Sequence, residues 1–298
     1  MYRFVRLPDA AELRGPLQQR LREAGLCGTL LLADEGINGT IAGPEAALRD
    51  FVDHLQNDPA YRGRFRDLDV KWSTAQAPPF RKARVRLKRE IVTLGVPGIS
   101  PVDPQQTGEY VDPADWNALL EDPRVVVVDT RNDYEVQLGT FVSARGPALD
   151  PATQTFGQLP DAVQRDLPPA DADVPIAMFC TGGIRCEKST AYLRSRGYRR
   201  VYHLRGGILR YLEEIPERES RFRGACFVFD RRVAVTHGLR QTDHGLCYAC
   251  GWPTSAEDRR HPNHQEGVSC RRCHDRHTPQ QRARFEMRQR QAEANSQV

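Results

Sequence analysis

One stretch constrains this 298-residue chain more than any other. An apolar run over residues 174–179 reads as a short buried strand and ends at Cys180. Thr181, Gly182, Gly183 and Ile184 follow, then Arg185 and Cys186. Residues 187–196 have helical character, with Gly197 as a stop signal. A strand, a tight loop and a helix put Cys180 at the carboxyl end of a strand, where open α/β sheets bind ligands. Two glycines let the backbone turn so that the amides of Thr181, Gly182, Gly183 and Ile184 face inward. The start of the helix adds positive potential and Arg185 a fixed charge, so Cys180 is expected to be an acidic, nucleophilic thiol. Such a loop suits a persulfide, a small oxyanion or charge developing on a substrate. Cys186 either resolves an oxidised Cys180 or packs at the helix start.

The remaining sequence bounds the setting. The length suffices for two or three domains, no run is long enough to span a membrane, and no apolar leader precedes the first domain. A cytoplasmic protein is expected, and its eight cysteines then point to free thiols, metal ligation or redox chemistry, not to a disulfide framework. The formal charge of +4 selects no partner by itself.

Residues 1–95 read as a ferredoxin-like α+β sandwich. Strands are expected over 2–7, 29–33, 39–42, 69–72 and 84–94, with helices over 13–25 and 44–56. Pro16 should kink the first helix or confine its start to Gly15. Asn38-Gly39 suggests a hairpin turn over 34–39. In the last strand Val85 and Leu87 alternate with Arg84, Arg86 and Lys88, and Arg81, Lys82 and Arg89 extend the charge. These six cations form a candidate track for RNA phosphates.

Residues 96–121 are rich in Pro, Gly, Asp and Gln and read as a linker containing a short helix over 116–120. Residues 122–218 alternate strands and helices, which predicts a doubly wound parallel sheet with a central strand over 124–128. Residues 219–278 form a small Cys-rich segment. Cys247-x-x-Cys250 and Cys270-x-x-Cys273 have the spacing of one structural Zn²⁺ site with four thiolates. Free thiols or two redox pairs are the alternatives. His264 and Glu266, with His274 or His277, match a non-haem iron triad only weakly. Residues 279–298 are a basic tail, helical or disordered, that could touch RNA.

Cys180-x-x-x-x-Arg185 after a strand resembles the active loop of rhodanese-homology domains. Asp129-x-Arg131 with Glu135 and Gly139, and Leu204-x-Gly206-Gly207, match the same pattern. The longer string from Cys180 to Ser189 is similar to the bacterial tRNA uridine 5-hydroxylases, as are residues 34–43, 88–92 and the cysteine pairs. That resemblance implies oxygen-dependent conversion of the wobble uridine of tRNA, in its anticodon loop, to 5-hydroxyuridine, with Cys180 as the active-site cysteine. It also implies that Asp129 and Arg131 are structural. No motif for a catalytic cofactor is recognised. A plain sulfurtransferase carrying a Cys180 persulfide is the main alternative. A phosphatase would need one more residue between Cys and Arg, and an RNA-binding scaffold would leave the activated cysteine without a use.

Overall fold

A computed structural model describes residues 1–75 and 79–294. The last four residues of the basic tail lie outside that span. The first domain contains β1 (Tyr2–Phe4), α1 (Ala10–Glu23), β2 (Cys27–Ala33), β3 (Gly36–Ala42), α2 (Glu45–Asn57) and β4 (Ala83–Leu87). The sheet order is β1-β3-β2-β4, with β3 antiparallel to both neighbours and β4 parallel to β2. On the free side of β1, Asp69 exchanges both backbone hydrogen bonds with Tyr2, at 2.9 and 3.0 Å. The strand expected over 69–72 is therefore a single bridge. β4, the strand expected over 84–94, closes the opposite edge. Leu17, Leu21, Leu30, Leu32, Phe51 and Phe65 fill the core between sheet and helices. Each such side chain contributes about 1.5–3 kcal/mol by leaving water.

Three local expectations in this domain are corrected. α1 begins at Ala10 and runs through Pro16. Pro16 is on the exposed face, where water can take the carbonyl that loses its helical partner. The hairpin turns at Asp34-Glu35, because Ala33 pairs with Gly36. Asn38-Gly39 lies inside β3, where a Cβ on Gly39 would sit 2.1 Å from the Thr29 carbonyl oxygen. β4 stops at Leu87, which is 43% exposed instead of facing the core with Val85. The outer edge of β4 is blocked by α1: Gln18 bonds Ala83 and Val85, and Arg14 bonds Val85.

The second domain comprises β5 (Glu109–Val111), α3 (Pro113–Glu121), β6 (Val126–Asp129), α4 (Asp133–Val136), β7 (Gly139–Ser143), β8 (Gly146–Pro147), α5 (Leu159–Asp166), β9 (Ile176–Phe179), α6 (Ile184–Ser195), β10 (Val201–Leu204) and α7 (Gly207–Glu214). The strands β5-β10-β9-β6 form a wholly parallel sheet. Two expectations change here. The segment read as linker supplies β5, a three-residue edge strand hidden among turn-forming residues. The run expected to be central, β6, is terminal in the ladder, joined beyond only by a single bridge from Val128 to Leu149. Trp116, Phe141, Phe179, Tyr211 and Phe222 pack edge-to-face on one side of the sheet. Cys180, Cys186, Met178, Tyr192 and Leu193 lie in the cluster on the other.

β11 (Phe222–Gly224) returns to pair with β7. The C-terminal segment then has two short hairpins, β12 (Cys226–Phe227) with β13 (Ala234–Val235) and β14 (Gly245–Leu246) with β15 (Pro253–Thr254), followed by α8 (Ala256–Arg260) and α9 (Pro279–Ala294). The described part of the tail is thus a helix. Arg288 ties it back by donating to the carbonyls of Tyr248, at 2.6 Å, and Gly267, at 3.3 Å.

Candidate active site

Cys180 follows the last residue of β9, and its loop is held from both sides by neighbouring strand ends. Thr130, after β6, donates through its amide and its hydroxyl to the Phe179 carbonyl, both at 3.0 Å. Beyond β10, the amides of Ile208 and Leu209 donate to the carbonyls of Cys180 and Thr181, at 2.9 and 3.0 Å. Gly207 makes this approach feasible. It has φ +67°, and a Cβ there would lie 2.5 Å from the Cys180 carbonyl oxygen. The Leu204-x-Gly206-Gly207 motif is therefore a brace for the cysteine loop.

The Gly183 amide donates to Cys180 Sγ at 3.1 Å. Of the four loop amides singled out from sequence, it is the one that reaches the sulfur among the described residues. Burial alone would raise the Cys180 thiol. A hydrogen bond from Cys186, the charge of Arg185 and the amides of Cys186 and Gly183 outweigh burial and bring Cys180 down to about 5. Cys186 moves the opposite way, well above its ordinary range, through burial and its bond to the neighbouring sulfur. Cys186 sits at the start of α6, its amide donating to the Gly183 carbonyl at 3.0 Å and its sulfur 3.7 Å from the Thr130 hydroxyl.

Arg185 is not free to meet a ligand. It forms a bidentate pair with Glu135 at 2.6 and 2.8 Å and also bonds Thr181 Oγ1 at 3.2 Å. Burial would raise the Glu135 carboxyl, but Arg185 and Arg131 hold it below the usual range. Arg131 itself is buried against Asp129, at 2.6 and 2.8 Å. The loop therefore relies on amide dipoles and a partly neutralised guanidinium. Cys180 Sγ is completely buried, so a substrate atom can reach it only after the covering residues move.

Cys180 packs mainly within its own domain, among Val128, Met178 and Leu193, while groups of the first domain approach the glycines of the loop. The Tyr2 hydroxyl lies 3.0 Å from where a Cβ of Gly183 would stand, and Lys71 Cε lies 4.0 Å from the equivalent point on Gly182. Tyr2 also donates to Glu187 at 2.6 Å, and Tyr110 bonds the same carboxylate. These groups border a cavity of about 560 Å³ between the domains, lined also by Arg3, Trp72 and Gly206. One turn along α6, Lys188 is fully buried. Its ammonium meets Glu35 at 2.7 and 2.8 Å, Glu90 at 2.5 Å and the Val92 carbonyl at 3.1 Å. Burial keeps the Glu35 carboxyl above its ordinary range despite Lys188. The more exposed Glu90, which also accepts the Leu94 and Gly95 amides, lies below its own. The turn residue Glu35 is thus an interdomain clamp. Replacing Lys188 by Met would leave two carboxylates facing each other, with an expected loss of about 3–5 kcal/mol. Urea unfolding should show it, and the deficit should shrink as pH falls and the carboxylates take up protons. An unchanged midpoint at neutral pH would remove the clamp from the account.

Arg81, Lys82, Arg84, Arg86, Lys88 and Arg89 are all exposed, and none forms an ion pair among the described residues. In the C-terminal segment the sulfurs of Cys247, Cys250, Cys270 and Cys273 all lie within 4.8 Å of one another, so they could hold a metal ion. The nearest pairs are 3.7–3.8 Å apart. A tetrahedral site with Zn–S bonds of about 2.3 Å has edges of about 3.8 Å, so the donor set fits. The iron triad does not assemble: the four cysteines are the sole cluster of this kind among the described residues. No described helix is long and apolar enough to cross a membrane.

Sequence reasoning missed Glu135 as the partner of Arg185, and Tyr2, Lys71, Glu187 and Lys188 as groups joining the domains. Glu135 stood in a recognised motif, and in the structure it also caps α4 with Asn132.

Residues 1–91 match the UPF0176 acylphosphatase like domain, and residues 112–214 match the Rhodanese-like domain. A protein of Sinorhizobium fredii is 53% identical, covering 98% of this chain and 89% of its own length. Proteins of Agrobacterium fabrum and Deinococcus radiodurans are each 50% identical, covering 98% and 99% of this chain and 90% and 94% of their own. All three are named tRNA uridine(34) hydroxylase. With half its residues shared over almost the full length of both partners, the chain belongs to the tRNA uridine(34) hydroxylase family.

Proposed function

We propose that this protein hydroxylates uridine 34 of tRNA at C5, using oxygen, with Cys180 as the reacting group. The observation that carries the reaction is the shared name of relatives at half identity over full length. The site supports the role of Cys180, because a sulfur that accepts from the Gly183 amide and whose thiol is drawn down to about 5 is the strongest nucleophile the loop offers. Addition of that thiolate to C6 would make C5 electron-rich. One oxygen atom of O2 would then join C5, and an external two-electron donor with two protons would take the other to water. Loss of the C5 proton would expel the Cys180 thiolate from C6 and restore the ring double bond. Loop amides would balance charge on the ring. A persulfide or sulfenate on Cys180 is the rival route.

The complete burial of Cys180 favours a substrate that opens the domain contact at Tyr2 and Lys71 on binding. An anticodon loop is suited to this, since its bases leave the stack at low cost. The six unpaired cations beside β4 would follow the phosphate backbone, and the four cysteines would hold a structural Zn²⁺. Such chemistry belongs in the cytoplasm.

The sulfurtransferase reading loses support, since it would not require the basic first domain. Nucleoside mass spectrometry of tRNA from cells with and without the gene tests the proposal. Deletion should remove 5-hydroxyuridine and its further-modified derivatives. Unchanged wobble uridines would refute it.

A further inference from the structure

Phe229 presents an aromatic ring to solvent, 60% exposed, beside the cysteine loop. Isolated exposed apolar side chains are ordinary. This one differs in how it is mounted and in what it meets. Its neighbours Phe227 and Val228 are buried and anchor the backbone. The turn that follows is pinned by Arg232, which bonds Asp230 at 2.7 and 3.0 Å, and by the Val228 amide on the Val233 carbonyl at 2.9 Å.

The ring also ends a ladder of edge-to-face groups. Phe229 meets Phe227 edge-on at 5.2 Å, Phe227 meets Tyr134 at 5.2 Å, and Tyr134 meets Trp252 at 6.1 Å. The Arg272 guanidinium lies 3.2 Å from the Trp252 ring centroid. The ladder therefore runs from the cysteine knuckles to the loop, where the Arg185 guanidinium lies 5.9 Å from the Phe229 ring. Arg185 already donates to Glu135 and Thr181, so it does not need this ring as a partner. The exposed Arg231 lies two residues further along the chain.

We propose that Phe229 is a stacking platform for an unpaired nucleobase of the RNA substrate, held beside the Cys180 loop by Arg185 and the aromatic ladder. This rests on the tRNA reading above and adds a residue that binds the substrate next to the reacting group. A flat, rigid, exposed ring suits a base, because every base offers a π-face and stacking needs no sequence match. A cation on the same turn suits the adjoining phosphate.

The test uses the full-length enzyme and an unmodified anticodon stem-loop. Phe229→Ala should weaken binding on the order of ten- to a hundredfold by fluorescence anisotropy. Phe229→Trp should bind within about threefold of wild type, with its added indole emission quenched by the RNA. Circular dichroism and the alkylation rate of Cys180 should be unchanged in both. Equal affinity of the alanine variant and wild type, or no added quenching in the tryptophan variant, would overturn the platform and leave the tRNA reading intact. Failure of the wild type to bind the stem-loop would overturn both.

Discussion

Cys180→Ser is expected to lower formation of 5-hydroxyuridine by at least about 10³-fold, with the fold preserved. Serine is close in volume to cysteine, so the buried site and its Gly183 amide need not rearrange. Its hydroxyl does not ionise in the working range, however, so the amides and Arg185 would face a neutral group. The thiolate itself has a measurable signature. With Cys180 drawn down to about 5, its alkylation rate should be flat from pH 7 to 9 and fall as pH drops through 5. An ordinary thiol would instead lose reactivity below its usual value near 8.5. Complete burial should make the absolute rate slow, and RNA that opens the domain contact should raise it. Product formation within tenfold of wild type in the serine variant would remove Cys180 from the reaction.

Loss of metal from the cysteine knuckles is the second large effect. The purified protein should carry about one Zn²⁺ per chain, bound by Cys247, Cys250, Cys270 and Cys273. Structural zinc supplies apparent binding energies of about 10–16 kcal/mol, which here would maintain a segment with almost no apolar core. Its cluster consists of the four cysteines and little else. Chelation should therefore free four thiols to a colorimetric reagent and expose residues 245–278 to proteases. It should also release α9, since Arg288 bonds carbonyls within the knuckle region. Four thiols reactive without a chelator, in protein free of zinc by elemental analysis, would contradict this.

Much of the site was legible because it is local. An apolar run, a cysteine, two glycines and a helix lie within about twenty residues, and short-range sterics decide their geometry. The two Cys-x-x-Cys pairs were legible for the same reason, since a metal-binding knuckle is a tight turn. The hairpin was misread where a local rule met a longer-range one. Asn38-Gly39 has turn chemistry, but Gly39 is needed inside the strand because β2 leaves no room for a side chain there.

Residue order was enough to establish a parallel α/β domain with a cysteine at a strand end, an α+β neighbour and two Cys-x-x-Cys pairs close in sequence. What surrounds that cysteine depends on packing in three dimensions. α6 carries Lys188, Ser189 and Thr190, polar residues that are nevertheless all buried. Their burial depends on partners such as Glu35, 153 residues away from Lys188, and on the Tyr2–Glu187 bond across 185 residues. No periodicity encodes such contacts, because they depend on how two separately folded surfaces meet, and a residue's own neighbours in the chain carry no record of that.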